Sequence, residues 1–406
     1  MRIEHITSRP IQDTRGRQTI ETTLSAGTFS ATASVPSGKS TGSHEACELR
    51  DADGSVAHAI ENVNGEIADA LTERSFDSLD ELDDFLIALD DSLNKSRLGA
   101  NALLSVSITA ERLSALAQGI PLWKSIAERA GTTPATPRPF VNVLNGGAHV
   151  HPATALAKGD RFPLPFQEYM LVIEGKTSTA LSVAAEAFAK LGERLPKDVV
   201  MGDEGGYAPA FDTLEKPFEI LAGLVKEFPS TSIAIDAAAS ELFHNGAYQL
   251  LGKSYSSQEL TSLYESIAAK YPIHSIEDPF AEDAGADFAR LTEKLGRKIL
   301  VVGDDLTVTN PARINDAIAH EEINAVLIKP NQIGTVREAI KAVQATQNAG
   351  WKVICSHRSG ETDDTFISDF AYGVGAHGIK AGGLGQRERL LKYDRLLAIE
   401  HEAESM

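Results

Sequence analysis

The chain has 406 residues, of which 42% are hydrophobic and 23% are charged, which predicts a globular protein with a large core and two or three domains. Its formal net charge of -19 argues against nucleic acids and anionic membranes as partners, because an acidic surface repels both. No apolar run reaches the roughly 18 residues of a membrane span, and the N-terminus lacks the apolar stretch of a signal peptide, so we expect a cytoplasmic protein.

The first 130 residues have the pattern of an α+β domain. Strand-like runs at 2–8, 18–24 and 28–35 precede runs with helical apolar spacing at 56–72, 79–91 and 100–117. Pro134, Pro137 and Pro139 then suit an extended linker. We therefore predict an N-terminal capping domain over 1–130 and a catalytic domain over 131–406.

The second domain alternates between short β-rich runs and helical patterns. Six of the β-rich runs end at ionisable residues, namely Asp236, Glu277, Asp304, Lys329, the pair His357–Arg358, and Lys380. Repeated βα units joined by right-handed crossovers close into a barrel, whose active site lies at the C-terminal ends of its strands. The sequence therefore predicts an α/β barrel with these side chains around its mouth.

Three of the strand-end residues are carboxylates that would repel one another. At a few Å apart each pair costs about 4 kcal/mol at an effective dielectric of 20, a cost that a divalent cation removes. Oxygen ligands favour Mg²⁺ over zinc, so Asp236, Glu277 and Asp304 are candidate magnesium ligands. The alternative that these carboxylates pair with Lys329 and Lys380 remains open.

Lys329 is also a candidate general base. An ordinary lysine has a pKa near 10.4 and is protonated at neutral pH, so it cannot accept a proton. Beside a metal ion and other cations we expect its pKa to fall.

Gly38-Lys39-Ser40 resembles the end of a nucleotide-binding phosphate loop. That motif requires a glycine at the position of Ala33, and Pro36 lies inside the segment, so we reject this interpretation. The GDEGG turn at 202–206 and the FQEYM segment at 166–170 carry acids, but each is a weak signal alone.

Taken together in order and spacing, the motifs resemble the enolase family from about Ile6 to Glu400. They are PSGKSTGSHEACELRD, NKSRLGANALLSVS, VNVLNGGAH, GDEGG, SIEDPFAEDA, DDLTVTNP, IKPNQIGT and SHRSGETDDTFISD. The resemblance implies an α+β N-terminal domain followed by an eight-stranded α/β barrel with irregular opening connections. It also implies reversible, magnesium-dependent dehydration of 2-phospho-D-glycerate to phosphoenolpyruvate in glycolysis and gluconeogenesis. A lysine base opposite magnesium is a known pattern of this superfamily, and the spacing alone does not show it.

The resemblance also implies a role for each matching residue. Asp236, Glu277 and Asp304 would hold the first Mg²⁺, and Ser40, in a mobile loop, would reach a second Mg²⁺ that arrives with the substrate. Lys329 would take the C2 proton, and Glu204, with Glu168 beside it, would protonate the departing C3 hydroxyl. The remaining matches are Arg358 and Ser359 for the phosphate, Lys380 for the carboxylate, and His149, Gln167 and the catalytic-site histidine His357 in the same pocket.

Several positions depart from the family pattern. Lys39 stands where a small residue is usual, and the segment from Val150 to Pro165, expected to be a lid over the substrate, is longer than usual. Ala398 stands where many relatives carry an arginine that pairs with a glutamate of the partner subunit, and that glutamate matches Glu21 here. We still expect a homodimer or larger homo-oligomer. These departures leave two alternatives: a paralogue acting on a phosphonate or carboxyphosphono analogue, and a non-catalytic binding or scaffold protein on the same fold.

Overall fold

A computed structural model of the chain describes residues 2–39, 41–150 and 162–406. Its N-terminal part begins with an antiparallel meander of β1 (His5–Gln12), β2 (Gln18–Ala26) and β3 (Phe29–Ser34). The β2–β3 hairpin turns through two residues, and Gly27 has a φ of 56° there, a value that favours glycine. The three predicted strands are therefore present.

Helices follow this sheet, as the apolar spacing predicts. They are α1 (Ala57–Asn62), α2 (Ala68–Thr72), α3 (Leu79–Asp90), α4 (Ala100–Gln118) and α5 (Leu122–Ala130), with a π-helical turn at Val63–Ile67 between the first two. α4 is mostly buried, because it packs against β2 and β3 on one side and α3, α5 and the barrel on others. Its Ser105 and Thr109 hydroxyls are paired with Thr22, which removes the cost of burying them.

Eight strands close into a barrel in the second part of the chain. They are β4 (Arg138–Asn145), β5 (Glu168–Ile173), β6 (Thr231–Asp236), β7 (Ile273–Glu277), β8 (Leu300–Gly303), β9 (Ala325–Ile328), β10 (Lys352–Ser356) and β11 (Gly378–Gly382). β11 pairs with β4 to complete the barrel. Only β5 among these eight runs antiparallel to its neighbours, and the other ladders are parallel. The predicted fold class is confirmed.

Helices cover the outside of the barrel. They are α6 (Thr177–Arg194), α7 (Lys216–Glu227), α8 (Ser257–Lys270), α9 (Gly285–Leu295), α10 (Pro311–Ala319), α11 (Val336–Asn348), α12 (Phe366–Gly373) and α13 (Arg387–Glu404). Several begin with local caps: Ser256 and Glu259 form a capping box on α8, and Asn310 and Thr335 accept from the first turns of α10 and α11. None of the helices in the described part of the chain is long and apolar enough to cross a membrane.

Short strands lie in the connecting segments. They form a three-stranded sheet of Phe243–His244, Ala247–Leu250 and Lys253–Tyr255, and the pairs Val200–Met201 with Tyr207–Ala208 and Phe162–Pro163 with Ala210–Phe211. The extended segment predicted to be a lid lies largely outside the described residues, since 151–161 are not among them.

The antiparallel β5 explains how an acid at a strand start reaches the barrel mouth. Glu168 is the first residue of β5, and it lies opposite Asp236, the last residue of β6. Side chains alternate along a strand, so Met170 and Val172 pack inside the barrel while their neighbours pack against the helices. The same alternation directs Glu168 and Asp236 inward, at the end where the parallel strands finish.

The opposite end of the barrel carries two histidines in contact. His274 Nε2 lies 3.2 Å from His377 Nε2, and Arg138 Nη1 lies 3.0 Å from His377 Nδ1. Burial, followed by Arg138, His274 and Lys352, lowers the pKa of His377 to about 3. Burial and Arg138 also lower the pKa of His274, although Glu174 opposes them. Both imidazoles are therefore neutral near pH 7.

This pair predicts a loss of stability in mild acid. His377 in the unfolded chain takes up a proton below about pH 6.5, whereas in the folded chain it does so only near pH 3. The unfolded state therefore binds more protons between these values, and the free energy of unfolding falls as the pH is lowered. Because the pair is partly exposed, we expect His377 to contribute about 1 kcal/mol per pH unit.

Urea unfolding at pH 7 and pH 5 measures this effect. The loss of stability between the two pH values should be smaller for His377→Gln than for the unchanged chain. His401→Gln, at an exposed histidine of α13, is the matched control and should behave like the unchanged chain. An equal pH dependence in all three proteins would contradict the prediction.

Candidate active site

The residues predicted from the strand ends line one cavity at the C-terminal mouth of the barrel. The cavity encloses about 490 Å³ including its open mouth. The predicted site residues that line it are His149, Gln167, Glu168, Glu204, Asp236, Asp304, Lys329, His357, Arg358, Ser359 and Lys380. Glu277 lies beside them against Lys380, and Ser40 lies outside the described residues. The structure thus brings the described candidates together, while their individual roles stay predictions.

Lys380 lies among three buried carboxylates. Its Nζ is 3.0 Å from Asp236 Oδ2, 3.0 Å from Glu277 Oε1 and 3.3 Å from Glu168 Oε1. Burial alone would lower the pKa of Lys380, but Asp236, Glu168 and Glu277 raise it well above its ordinary value. Burial and Asp236 raise the pKa of Glu277. Of the two arrangements that the sequence left open, this structure contains the pairing of carboxylates with lysine.

Lys329 forms a close ion pair with Asp304. Burial, Arg358 and Lys380 lower the pKa of Lys329, but Asp304 raises it above its ordinary value. Gln332 donates from Nε2 to the other oxygen of Asp304 at 2.9 Å. The expectation that a metal ion and other cations lower the pKa of Lys329 stays a prediction, because here Asp304 directs its charge at the ammonium group.

Two glutamates and two histidines form the opposite group of the cavity. His149 Nδ1 lies 3.5 Å from Glu168 Oε1, and His357 Nε2 lies 3.3 Å from Glu204 Oε2. Burial, followed by the charge of Glu204, raises the pKa of Glu168 well above its usual range. Burial opposes ionisation of Glu204 too, but His149, His357 and Arg389 hold its pKa below the ordinary value. These surroundings favour the protonated form more at Glu168 than at Glu204.

Burial also lowers the pKa of His357, to about 4, and that of His149. Arg389 of α13 contacts His357 Nδ1 and donates from Nη1 to the Arg358 carbonyl at 2.6 Å. The Gln167 Oε1 and Glu168 Oε2 atoms are buried without a hydrogen-bond partner among the described residues. Unsatisfied polar atoms in a cavity indicate a place for a polar ligand or water.

Two groups of described side chains have ligand atoms within 4.8 Å of one another, as a bound metal requires. They are His149, Glu168 and Glu204, and Asp278, Asp304 and Asp305. Asp236, Glu277 and Asp304 do not form such a group here, because Lys380 lies between Asp236 and Glu277 while Lys329 pairs with Asp304. Acidic clusters that could bind a metal are therefore present, and the predicted ligand trio stays a prediction.

Sequence reasoning missed Asp278 and Asp305. They directly follow Glu277 and Asp304, so their places in SIEDP and DDLTV were the available signal. The backbone N–H groups of Asp304 and Asp305 each donate to Asp278 at 2.9 Å. Burial and the charge of Asp304 raise the pKa of Asp305 to about 8. The cavity therefore contains more carboxyl groups than the strand ends alone suggest.

The loop after β3, residues 35–39 and 41–44, contacts residues that line or flank the cavity and is called the entrance loop below. Lys39 Nζ donates to Asp203 Oδ2 at 2.6 Å and to the Ala148 carbonyl at 2.7 Å. A Cβ at Gly38 would lie 2.0 Å from Arg358 Nη2, so the loop backbone packs directly on that guanidinium group. The unusual lysine at 39 thus ties the loop to the turn that carries Glu204.

Comparison with known proteins agrees with this geometry. Residues 3–126 match the family model "Enolase, N-terminal domain", and residues 133–406 match "Enolase, C-terminal TIM barrel domain". The chain is 41% identical to Enolase B of Dictyostelium discoideum over 437 residues, covering 100% of this chain and 96% of that protein. It is also 41% identical to an enolase of Campylobacter jejuni over 417 residues, covering 99% and 98%.

The chain belongs to the enolase family. Members of this family are lyases, so the predicted family and enzyme class are confirmed. The full-length similarity to enolases confirms the predicted enolase function, and no comparison favours the phosphonate-specific paralogue or the non-catalytic scaffold.

Proposed function

We propose that this protein catalyses the reversible dehydration of 2-phospho-D-glycerate to phosphoenolpyruvate, as a magnesium-dependent step of glycolysis and gluconeogenesis. The observation that carries the proposal is that one cavity is lined by Lys329, whose side chain is 13% exposed, together with a pair of buried glutamates and a buried arginine. A lysine can remove a proton, a glutamic acid can protonate a leaving hydroxyl, and an arginine can bind a phosphate.

In this proposal Lys329 accepts the proton from C2 and Glu204 protonates the hydroxyl that leaves C3. The C2–H and C3–O bonds break, the C2–C3 double bond forms, and water is released. Lys329 becomes competent as a base once Asp304 has another partner, because Asp304 is the group that raises its pKa. Glu168, whose pKa burial and the charge of Glu204 raise, lies beside Glu204 and would serve as a nearby source of a proton for it.

The substrate is a small anion that the remaining side chains would orient. Arg358 and Ser359 would bind its phosphate and Lys380 its carboxylate, while His149, Gln167 and His357 would line the pocket. Both Arg358 and Lys380 are buried, so their charges act with little screening by solvent. These local cations offset the acidic surface, which by itself would repel an anion.

The residues at the barrel mouth fit a magnesium ion. Asp236, Glu277 and Asp304 offer carboxylate oxygens, which are ligands that Mg²⁺ prefers, and the Lys380 ammonium already balances two of them at 3.0 Å. These three residues would hold the first ion, and Ser40 would contribute to a second that enters with the substrate. When bound, Mg²⁺ would supply positive charge that stabilises the anion left by loss of the C2 proton.

The same proposal covers the organisation of the protein. The chain would consist of a capping domain over 1–130 and a catalytic barrel over 131–406, act in the cytoplasm, and form a homodimer or larger homo-oligomer. Ala398 has no charge with which to pair with Glu21 of a partner subunit. Glu21 instead has a partner in its own subunit, since Arg9 Nη2 lies 2.6 Å from Glu21 Oε1.

Turnover of 2-phospho-D-glycerate with and without magnesium tests the proposed function. We expect chelation to abolish formation of the enol product, followed by its ultraviolet absorbance, and added Mg²⁺ to restore it. Asp304→Ala should weaken metal affinity about tenfold or more, since even residues behind a metal ligand contribute about 10- to 100-fold. Asp316→Ala, at an exposed acid of α10, is the control and should leave both properties unchanged.

Full turnover in excess chelator would contradict the metal requirement. Turnover of a phosphonate analogue without turnover of 2-phospho-D-glycerate would favour the paralogue instead. Binding of substrate with no turnover at any magnesium concentration would favour a non-catalytic protein.

A further inference from the structure

Glu45, a residue to which the proposed mechanism gives no role, binds the guanidinium group of Arg358 through both carboxylate oxygens. Arg358 Nη1 donates to Glu45 Oε2 at 3.0 Å, and Arg358 Nη2 donates to Glu45 Oε1 at 3.1 Å. The Glu45 side chain is 8% exposed and the Arg358 side chain is 3% exposed. A bidentate pair of this kind fixes the plane of the guanidinium group as well as its position.

The same carboxylate is joined to the entrance loop. The Gly42 N–H donates to Glu45 Oε1 at 3.1 Å, and the Glu45 N–H donates to the Gly42 carbonyl at 3.1 Å. The end of the entrance loop therefore folds back on Glu45. A change in loop position would move the carboxylate that orients Arg358.

Glu45 is also linked to the acid that pairs with Lys329. Gln332 Nε2 lies 3.4 Å from Glu45 Oε1 and 2.9 Å from Asp304 Oδ1. Gln332 is itself fixed, because Thr309 donates to its Oε1 at 2.7 Å. The loop, the arginine and Asp304 thus share contacts through one buried carboxylate and one buried amide.

The charge of Glu45 would be a disadvantage if Arg358 served only to attract an anion. A carboxylate within hydrogen-bonding distance offsets much of the guanidinium charge and lowers its attraction for phosphate. Keeping Glu45 there makes physical sense if orientation of Arg358 is worth more to the reaction than its charge. A misplacement of about 1 Å can cost about 100-fold in rate, which is larger than most gains from added affinity.

We propose that Glu45 is the positioning residue that orients Arg358 and couples this orientation to the entrance loop. This inference rests on the proposed function, since it assigns Arg358 to the substrate phosphate. It predicts opposite effects on binding and on chemistry when the charge of Glu45 is removed. Anion binding should be unchanged or tighter, because the arginine loses its counter-charge, while turnover should fall because the guanidinium group is no longer fixed.

The test combines steady-state kinetics with calorimetric binding of inorganic phosphate in the presence of Mg²⁺. For Glu45→Gln we expect kcat to fall about tenfold or more, and the Kd for phosphate to stay unchanged or to decrease. Glu48→Gln is the matched control. Glu48 is in the same segment but pairs with Arg50 and Ser37, and kcat of this variant should stay within about threefold of the unchanged protein.

Coupling to Arg358 distinguishes positioning from a general structural effect. In an Arg358→Lys background, Glu45→Gln should reduce kcat by less than about twofold further, because the bidentate pair is already gone. Glu45→Asp keeps the charge but is one methylene shorter, so its kcat should lie between those of the unchanged protein and Glu45→Gln. If Glu45→Gln does not fold, Glu45→Asp carries the same test.

A kcat within about threefold of the unchanged protein for Glu45→Gln would overturn the inference. Equal losses in the presence and absence of the Arg358 guanidinium group would also overturn it. If the unchanged protein itself has no turnover, the proposed function fails. Phosphate binding then tests Glu45 separately. Glu45→Gln must not weaken the affinity for phosphate. Any gain in affinity that Glu45→Gln gives must disappear when the same substitution is made in the Arg358→Lys background.

Discussion

Replacing Lys329 with alanine is expected to abolish both product formation and exchange of the substrate C2 proton with solvent deuterium. Lys329 lines the cavity with a side chain that is 13% exposed, and its ammonium group pairs with Asp304. If it takes the C2 proton, its loss stops the first step of the reaction, so nothing after that step can occur. Removal of a general base typically costs about 100- to 10,000-fold in rate.

Glu204→Gln should give a different result, because Glu204 would act after proton removal. The amide cannot supply a proton to the leaving hydroxyl, so turnover should fall by a similar factor. The C2 proton should still exchange with deuterium, since Lys329 is unchanged and the glutamine keeps contacts near His357 and His149. Exchange followed by nuclear magnetic resonance, alongside kcat, measures the two steps separately.

Lys341→Ala, at an exposed lysine of α11, is the matched control for Lys329→Ala and should change neither measurement. Equal loss of exchange in Lys329→Ala and Glu204→Gln would contradict the division between base and acid. Retained exchange in Lys329→Ala would assign the proton removal to another group.

The strand-end pattern predicted much of the barrel because it depends on local sequence. A charged residue marks the end of each β-rich run. The ends of β6 at Asp236 and of β7 at Glu277 could therefore be predicted directly from the sequence. The direction of β5 could not, because strand pairing depends on contacts between distant parts of the chain. Without that direction, nothing local shows that Glu168, at the start of a strand, lies beside Asp236 at the end of another.

Side-chain partners at the mouth were also hidden from the sequence. Lys380 is far along the chain from Asp236 and Glu277, and only closure of the barrel brings its ammonium group to 3.0 Å from both. The pKa of Lys329 depends in the same way on Asp304, which approaches it from a neighbouring strand. Local sequence therefore predicted which groups gather at the mouth, and the folded geometry decided which of them pair.

The interruption of the first long helix is a smaller example. Apolar spacing predicted one helix over 56–72, and the structure has α1 and α2 joined by a π-helical turn at Val63–Ile67. Asn64 in that turn bonds to the backbone of Ser8 in β1, with its Oδ1 accepting at 2.7 Å and its Nδ2 donating at 3.0 Å. Such a contact with the sheet is tertiary, so the spacing of apolar residues carried no sign of it.

Replacing Lys380 with methionine is expected to make the stability of the protein depend on divalent cations. Lys380 is 3% exposed and touches Glu168, Asp236 and Glu277, each of which is also buried. Without its ammonium group these carboxylates repel one another in a site with little solvent. Removing one partner of a buried ion pair typically costs about 3–5 kcal/mol, so we expect a loss of that size in the presence of chelator.

Mg²⁺ should reverse the loss, and acid should reduce it relative to the unchanged protein. Mg²⁺ bound by the carboxylates of the folded state would stabilise it by mass action, more in Lys380→Met than in the unchanged protein, where the lysine competes for the same oxygens. Acid should narrow the stability difference between Lys380→Met and the unchanged protein, because burial raises the pKa of Glu277 and Glu168 and protonation relieves their repulsion in the variant. Both proteins should lose stability equally from their neutral histidines, which become protonated on unfolding over the same acid range, so this contribution cancels in the comparison.

Thermal unfolding with chelator, with millimolar Mg²⁺, and at pH 7 and pH 5.5 measures both effects. Lys392→Met is the matched control, because Lys392 is equally buried but pairs with Glu361 at 2.7 Å and donates to the Thr362 carbonyl at 2.6 Å. This variant should lose stability without being rescued by Mg²⁺, since it leaves Asp236 and Glu277 paired with Lys380. Equal rescue of the two variants by Mg²⁺ would show that the ion acts away from the barrel mouth, and the proposed ligands would be wrong.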